Sequence, residues 1–238
     1  MVIEENDSEG LMKGIVFDFN GTLYWDSHLH YDAWRNFSAK LRGYPFSDEE
    51  MKKKMFGHTN EDIIAYAIGK KPSKELVEKY ANEKESLYRE CCLKSPENFK
   101  LAPGAVELLD FLKAHNLPRA IATMSEWANV EFYIKEFQLG KWFDLDKIVF
   151  SDGTIPGKPA PDIFEIAAQK IGLNAKDCVV IEDAIAGINS AKSAGIGKII
   201  AIASLEPLEF YQKIDGLHCI IKNFFEFDKK LLDLPINA

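Results

Sequence analysis

The hydrophobic residues of this chain fall into short continuous runs separated by segments with a helical period. Runs of strand length occur at Gly14–Phe19, Arg119–Met124, Lys147–Phe150, Cys178–Ile181, Lys198–Ala203 and Cys219–Ile221. Such continuity is typical of strands buried on both faces of a parallel sheet. Helical periods lie between them at Ala105–His115, Ala128–Phe137, Pro161–Ile171 and Ala186–Ala194. The alternation predicts an α/β fold, with a doubly wound, mostly parallel sheet and helices on both of its faces.

The alternation breaks between the first two strands, where residues 27–96 carry helical patterns and no convincing strand. Candidate helices cover His30–Leu41, Asp48–Phe56, Glu61–Ile68 and Ser73–Cys92. Asn60 and Ser73 are predicted N-caps of the last two. A connection this long is usually a lid or subdomain. We therefore predict a helical cap at 27–96, an α/β core formed by 12–26 and 97–238, and a flexible extension at 1–11.

Composition and charge narrow the classes of partner. The net charge of −8 disfavours a nucleic-acid-binding surface, which needs clustered lysine and arginine. Four cysteines without CxxC spacing suggest neither disulfides nor zinc, and favour a reducing cytoplasm. The polar, acidic start is unlike a signal peptide, and no apolar run approaches the roughly 20 residues of a spanning helix, so no membrane partner is expected. The net charge remains compatible with a small anionic substrate, and the sequence leaves the oligomeric state open.

Polar residues follow four of the predicted strands, at the sheet edge where ligands bind in this architecture. In chain order they are Asp18, Asn20 and Thr22, then Thr123 and Ser125, then Lys158, then Glu182 and Asp183. Singly, each has an ordinary structural explanation as a turn, cap or surface residue. Together, the oxygen ligands suit Mg²⁺ shared with a substrate phosphate, and a carboxylate there can serve as a nucleophile that forms an aspartyl-phosphate.

Four segments carry a resemblance to a known family. DFNGTL, the Thr after IA, GKPAPDIF and IEDAIAGINSAKSAG occur in this order and resemble the four motifs of the haloacid dehalogenase (HAD) superfamily. The similarity is to the branch with a helical cap after the first strand, which includes β-phosphoglucomutase and small-molecule phosphatases. It extends from Met12 over nearly the whole chain. It implies a HAD-like Rossmannoid core and a Mg²⁺-dependent phosphatase of a small phosphorylated metabolite.

The resemblance also implies a role for each matching residue. Asp18 would be the nucleophile, and Lys158 would neutralise charge on it and on the phosphate. The phosphoryl group would be held by Thr123 and Lys158, with Gly21 and Met124 beside it. The implied Mg²⁺ ligands are Asp18, the backbone carbonyl of Asn20, Glu182 and Asp183. Dehalogenases of the superfamily lack this acidic pair, so its presence favours phosphorus chemistry over carbon–halogen cleavage.

Asn20 departs from the family pattern. Phosphatases and mutases of the family have an aspartate there that protonates the leaving group and later deprotonates water, and an asparagine cannot do either. General acid–base catalysis typically contributes about 10²–10⁴-fold. The chain could be a slow phosphatase or one acting on good leaving groups, it could use His30 or His58 of the cap as a proton carrier, or it could bind a phosphorylated ligand with little turnover. An introduced Asp-to-Asn substitution that traps the enzyme is a further alternative.

A sugar-phosphate mutase is the less favoured alternative, because it must move two protons in each cycle. The chain also has Asn60 where the phosphoglucomutase cap has an arginine for a second phosphate, and Glu126 and Trp127 follow the second motif. The predicted substrate-facing surface comprises Trp25, His30, His58, Asn60, Glu126 and Trp127.

Overall fold

The computed structural model describes residues 10–54 and 60–234. Its contacts form two compact units, one made of the chain up to Trp25 together with everything from Leu101 on, and the other of Asp26–Lys100. We call them the core unit and the cap unit. Most of the predicted N-terminal extension at 1–11 lies outside the described residues, and so does His58.

The core unit contains a six-stranded sheet in the order β3-β2-β1-β4-β5-β6. The strands are β1 (Gly14–Phe17), β2 (Arg119–Glu126), β3 (Val149–Ser151), β4 (Cys178–Glu182), β5 (Lys198–Ile202) and β6 (Cys219–Ile221). All five pairings are parallel, and every residue of β1 and β4 is buried. The strand β2 continues two residues past its predicted end at Met124, with an irregular register against β3.

The cap unit is helical, with α1 (Ser27–Arg42), α2 (Asp48–Lys54), α3 (Asn60–Ile68) and α4 (Lys74–Lys94). These helices enclose an apolar cluster of Trp34, Phe37, Phe46, Met51, Ile63, Ile64 and Ala67. The Ser73 hydroxyl accepts a bond from the Leu76 N–H, which confirms it as an N-cap. The N-cap prediction for Asn60 is wrong, because this residue is already the first residue of its helix. The predicted end of the second helix at Phe56 lies outside the described residues.

The remaining helices belong to the core unit. They are α5 (Ala105–Ala114), α6 (Trp127–Glu136), α7 (Asp162–Lys170), α8 (Ile185–Ser193) and the short α9 (Leu208–Tyr211). On one face of the sheet, Val16 clusters with Phe164 of α7 and Ile188 of α8. The next residue, Phe17, points the other way and its ring meets Phe143 at 6.1 Å. Side chains therefore pack against both faces of the sheet, and the parallel sheet with its flanking helices confirms the predicted α/β fold class.

No helix in the described part of the chain is long and apolar enough to cross a membrane.

Candidate active site

Strand register brings the predicted site residues together at the carboxyl edge of the sheet. Phe17 is paired with Ile181 on β4 and with Ile121 on β2, so the residues that follow these three emerge side by side. The Asp18 N–H donates to the Ile181 carbonyl at 3.1 Å, which fixes Asp18 beside Glu182. Three segments far apart in sequence thereby meet at one edge.

Lys158 lies at the centre of this cluster. It comes from the loop between β3 and α7, and its side chain is only 9% exposed. Its Nζ donates to Asp18 Oδ1 at 2.6 Å, to Glu182 Oε2 at 2.7 Å and to the Ala122 carbonyl at 3.4 Å. Burial alone would lower the pKa of Lys158, but the two carboxylates outweigh it and raise that pKa above its usual value. The lysine is therefore a buried cation shared by two acids.

The acidic residues form a buried group around this lysine. Oxygen atoms of Asp18, Glu182 and Asp183 all lie within 4.8 Å of one another. Burial, followed by the charge of Glu182, raises the pKa of Asp18 to about 7, against the lowering effect of Lys158. The pKa of Asp183 is also raised, by burial and then by Glu182 and Asp18. Three buried carboxyl groups thus face one ammonium, and burial favours the protonated forms of Asp18 and Asp183.

Two glycines make room for these carboxyl groups. Gly21 adopts φ +80°, and a Cβ added to it would lie 2.2 Å from Asp183 Oδ2. A Cβ added to Gly187 would lie 2.1 Å from both the Cδ and the Oε2 of Glu182. Neither position can hold a larger side chain without displacing an acid.

Asn20 is held by hydrogen bonds at both ends of its amide. Its Oδ1 accepts from the Ser125 hydroxyl at 2.7 Å and from the Thr123 hydroxyl at 3.4 Å. Its Nδ2 donates to the Tyr133 hydroxyl at 2.8 Å. The Tyr133 ring is buried and stacks on Phe19 with 4.5 Å between centroids. The side chain that departs from the family pattern therefore sits in a fixed position beside the nucleophile candidate.

The comparison with protein families settles which group this arrangement belongs to. Residues 12–195 match the model of the haloacid dehalogenase-like hydrolases, a span that contains Asp18, Lys158 and the pair Glu182 and Asp183. The chain belongs to this hydrolase family.

The similarity to its relatives extends over most of the chain. A solved structure from Entamoeba histolytica, described as a HAD hydrolase of family IA, variant 3, is 43% identical, with a TM-score of 0.88, over 93% of this chain and 98% of that one. A probable pseudouridine-5′-phosphatase of Drosophila melanogaster is 32% identical over 92% of this chain and 93% of its own. A phosphorylated carbohydrates phosphatase of Thermotoga maritima is 29% identical over 80% and 85%.

The acidic group of this hydrolase fits the Mg²⁺ that the family generally uses. Mg²⁺ prefers oxygen ligands at 2.0–2.1 Å, so opposite ligand atoms are separated by about 4 Å, close to the 4.8 Å spread of the three carboxyl oxygens. A divalent cation would add positive charge beside Lys158 and favour the ionised forms of Asp18 and Asp183. Asp18, Glu182 and Asp183 are therefore suited to hold it.

Four more residues of the predicted site belong to the core unit of the hydrolase, and their surroundings differ. Trp25 is half-buried, and Met124 is half-buried close to Gly157 in the loop that leads to Lys158. Glu126 is an exposed residue at the end of β2. Trp127 begins α6 and is half exposed, and its ring contacts Phe150 at 5.2 Å. This aromatic contact packs Trp127 against β3, and its substrate-facing role stays a prediction.

Of the predicted cap residues, Asn60 is half-buried at the start of α3, and His30 belongs to a hydrogen-bonded group inside the cap unit. The Lys84 ammonium lies 2.9 Å from His30 Nδ1, and since an ammonium only donates, this nitrogen accepts. His30 Nε2 lies 3.4 Å from Asp26 Oδ2, which also accepts from the Tyr88 hydroxyl. The His30 and Tyr88 rings stack at 3.9 Å. Both ring nitrogens thus have partners within the cap, and the role of His30 as a proton carrier stays a prediction.

Several residues of the site escaped the sequence analysis. Tyr133 looks like an ordinary core aromatic on α6, and its polar hydroxyl gave no sign of its partner. Gly187 could have been noticed as a glycine in the first turns of a predicted helix, where glycine is costly without a packing reason. The Tyr211 hydroxyl, which donates to the Asp183 carbonyl at 2.8 Å, comes from a segment without any predicted element.

Proposed function

We propose that the chain is a Mg²⁺-dependent phosphatase of a small phosphorylated metabolite, with Asp18 as the nucleophile. The observation that carries this proposal is the Lys158 ammonium, which lies 2.6 Å from Asp18 and 2.7 Å from Glu182 with Asp183 close by. Membership in the hydrolase family and the phosphatases among its relatives support it.

In this mechanism the chain's residues position charge around the reacting phosphorus. Asp18 attacks the phosphorus and forms an aspartyl-phosphate, which water then hydrolyses. Lys158 favours the ionised form of the nucleophile against the effect of burial, and it offsets negative charge that develops on the phosphoryl oxygens. Thr123 turns its hydroxyl from Asn20 to a phosphoryl oxygen. Mg²⁺, held by Asp18, Glu182, Asp183 and the backbone carbonyl of Asn20, would supply further charge neutralisation when bound.

The test is turnover of p-nitrophenyl phosphate and a panel of sugar phosphates, with and without Mg²⁺. We expect Mg²⁺-dependent release of phosphate that Asp18→Ala abolishes. Asp215→Ala, which removes an exposed aspartate of the core unit, is the matched control and should keep the rate. Acid-quenched peptide mapping should find phosphate on the peptide that contains Asp18.

An unchanged rate in Asp18→Ala would refute the proposal. Saturable phosphate binding without turnover of any ester would instead support the second candidate, a binding protein for phosphorylated ligands, which Asn20 favours.

A further inference from the structure

A cavity of about 390 Å³ opens at the amino edge of the sheet, opposite the edge that carries the candidate active site. Arg119 lines this cavity at the first residue of β2, and Thr123 lies four residues further along the same strand. A strand rises by about 3.3 Å per residue, so the two positions are about 13 Å apart. The cavity is therefore separate from the group of residues around Asp18.

The half-buried Arg119 brings a positive charge to this cavity. Its Nε donates to the Trp142 carbonyl at 2.7 Å, and its Nη1 donates to the carbonyls of Leu117 at 2.7 Å and Leu112 at 3.2 Å. A guanidinium has five N–H bonds, so these three contacts leave the two N–H bonds of Nη2 for another acceptor. Burial lowers the pKa of Arg119, and among the residues that the structure describes no carboxylate counteracts this effect. Backbone carbonyls satisfy donors but do not neutralise the charge.

Two lysines add to the positive charge of the cavity. Lys113, an exposed residue near the end of α5, is one of the lining residues, and its Nζ donates to the Lys141 carbonyl at 2.6 Å. Lys147 also lines the cavity and lies 3.4 Å from Asp144 Oδ2, the one acid among the described residues of the lining. The charges of this pair cancel. Lys113 and Arg119 therefore leave the cavity with two uncompensated positive charges, in a chain whose net charge is −8.

Apolar residues form another part of the cavity wall. They include Pro118, Ile171 and Trp142, and the Trp142 indole nitrogen donates to Asp110 Oδ1 at 2.6 Å, which holds its ring in place. Small-molecule sites typically have volumes of about 300–1,000 Å³ and combine apolar walls with a few polar groups. The planar fork of an arginine matches the oxygens of a phosphate or a carboxylate. The lining is therefore suited to a carbon skeleton that carries an anionic group.

We propose that this cavity binds a small organic dianion, either a phosphate monoester or a dicarboxylate. The two Nη2 N–H bonds of Arg119 donate to its oxyanion group, and the Lys113 ammonium balances the second negative charge. The carbon skeleton lies against Pro118 and Ile171. The inference goes beyond the proposed phosphatase function and does not depend on it, because none of these residues belongs to the candidate active site.

Isothermal titration calorimetry measures the Kd of four probes: succinate, glycerol phosphate, inorganic phosphate and uncharged glycerol. The buffer is free of Mg²⁺, so that no metal adds an anion site beside Asp18. The titrations are run on the parent chain, on Arg119→Gln and on Lys113→Gln. Lys213→Gln removes an exposed lysine elsewhere in the core unit and is the matched control.

We expect saturable binding of succinate or glycerol phosphate to the parent and no binding of glycerol. Arg119→Gln should raise the Kd by about 10–150-fold, which corresponds to the loss of a hydrogen bond between charged groups. Lys113→Gln should raise it by about 2–5-fold, as for an exposed ion pair, and the control should bind like the parent. The tighter of the two dianions identifies a carboxylate or a phosphate as the preferred group. Thermal unfolding checks that the variants are folded, and Lys113→Gln tests the inference even where Arg119→Gln does not fold.

A parent that binds neither dianion would overturn the inference. A Kd that stays the same in Arg119→Gln and Lys113→Gln would overturn it as well, since the anion would then bind elsewhere on the chain. Inorganic phosphate bound as tightly as the organic probes would contradict the assignment of an organic ligand. Asp18→Ala should leave succinate binding unchanged although it abolishes turnover, so failure of the proposed function and failure of this inference are distinguishable.

Discussion

Gly187 is the position where one added methyl group should disturb the site most directly. Its Cβ would lie 2.1 Å from the Cδ and Oε2 of Glu182, whereas non-bonded carbon atoms pack at about 3.5–4.0 Å. The carboxyl group of Glu182 must therefore retreat by more than about 1 Å in Gly187→Ala. A shift of that size breaks the 2.7 Å contact from Lys158.

One stabilising effect and two destabilising effects decide whether Gly187→Ala raises or lowers the free energy of unfolding. Alanine is favoured over glycine inside a helix by about 0.8–1.0 kcal/mol, so a helix-propensity argument predicts stabilisation. Overpacking costs about 1–3 kcal/mol, and loss of a hydrogen bond between charged groups costs about 1.5–3 kcal/mol. We expect Gly187→Ala to lower the free energy of unfolding by about 1.5–5 kcal/mol, because the two penalties together exceed the helix preference.

Urea unfolding followed by circular dichroism, in Mg²⁺-free buffer, measures this difference. Gly140→Ala is the matched control, because its Cβ would meet the Leu145 side chain at an ordinary 3.7 Å. The control should stay within about 0.5 kcal/mol of the parent. A Gly187→Ala variant as stable as the parent would refute the reasoning, since Glu182 would then be free to move without loss.

Three further predictions concern the metal, the Asn20 anchor and the cap. Mg²⁺ at a hundredfold excess over its Kd should raise the free energy of unfolding by about 2.7 kcal/mol in thermal unfolding, and a full shift in Glu182→Gln would contradict its assignment as a ligand. Tyr133→Phe removes the acceptor of Asn20 Nδ2 and should cost about 1–3 kcal/mol in urea unfolding; an equal cost in an Asn20→Ala background would show that the loss lies elsewhere. A hydrogen bond from Arg42 lowers the pKa of Glu50, so this stabilisation is complete above the unfolded pKa of about 4.3 and is lost as pH falls toward the lower folded pKa. In Glu50→Gln, the thermal midpoint should therefore decrease less between roughly pH 5 and 3 than in the parent. An equal decrease in both proteins would show that the interaction between Arg42 and Glu50 does not stabilise the fold.

Much of the core was predictable from the sequence because burial on both sides leaves a continuous apolar signal. Gly14–Phe19 and Cys178–Ile181 were predicted as strands on this basis, although the first strand ends at Phe17 in the structure, and parallel pairing of the two places Asp18 beside Glu182. The sequence analysis predicted the site at the carboxyl ends of the strands, whereas the strand order and register come from the structure. The chemical roles of its residues stay predictions until the variants are measured.

The surroundings of Asn20 could not be predicted in this way. Its anchor depends on the rotation of α6 about its axis, which decides whether the Tyr133 hydroxyl points to Asn20 or to solvent, and a buried tyrosine has the same hydrophobic pattern in either case. The contact between the rings of Trp127 and Phe150 was likewise not predicted, and the substrate-facing role of Trp127 stays a prediction. Asn60 lies inside its helix since N-cap preference alone does not fix where helical backbone begins.

The insertion of the cap between β1 and β2 has a consequence for the order in which the chain folds. β1 pairs with β2 about a hundred residues later in the chain and with β4 further still, so these pairings must close very long loops. The cap unit draws its contacts from Asp26–Lys100 alone, and its first residue is already tied to Tyr88 of α4. Contacts between residues close in sequence form faster than distant ones. The cap can therefore fold first and bring the end of β1 near the start of β2. Its folding then shortens the loop that must close before β1 and β2 can pair at the edge of the sheet that carries the candidate site.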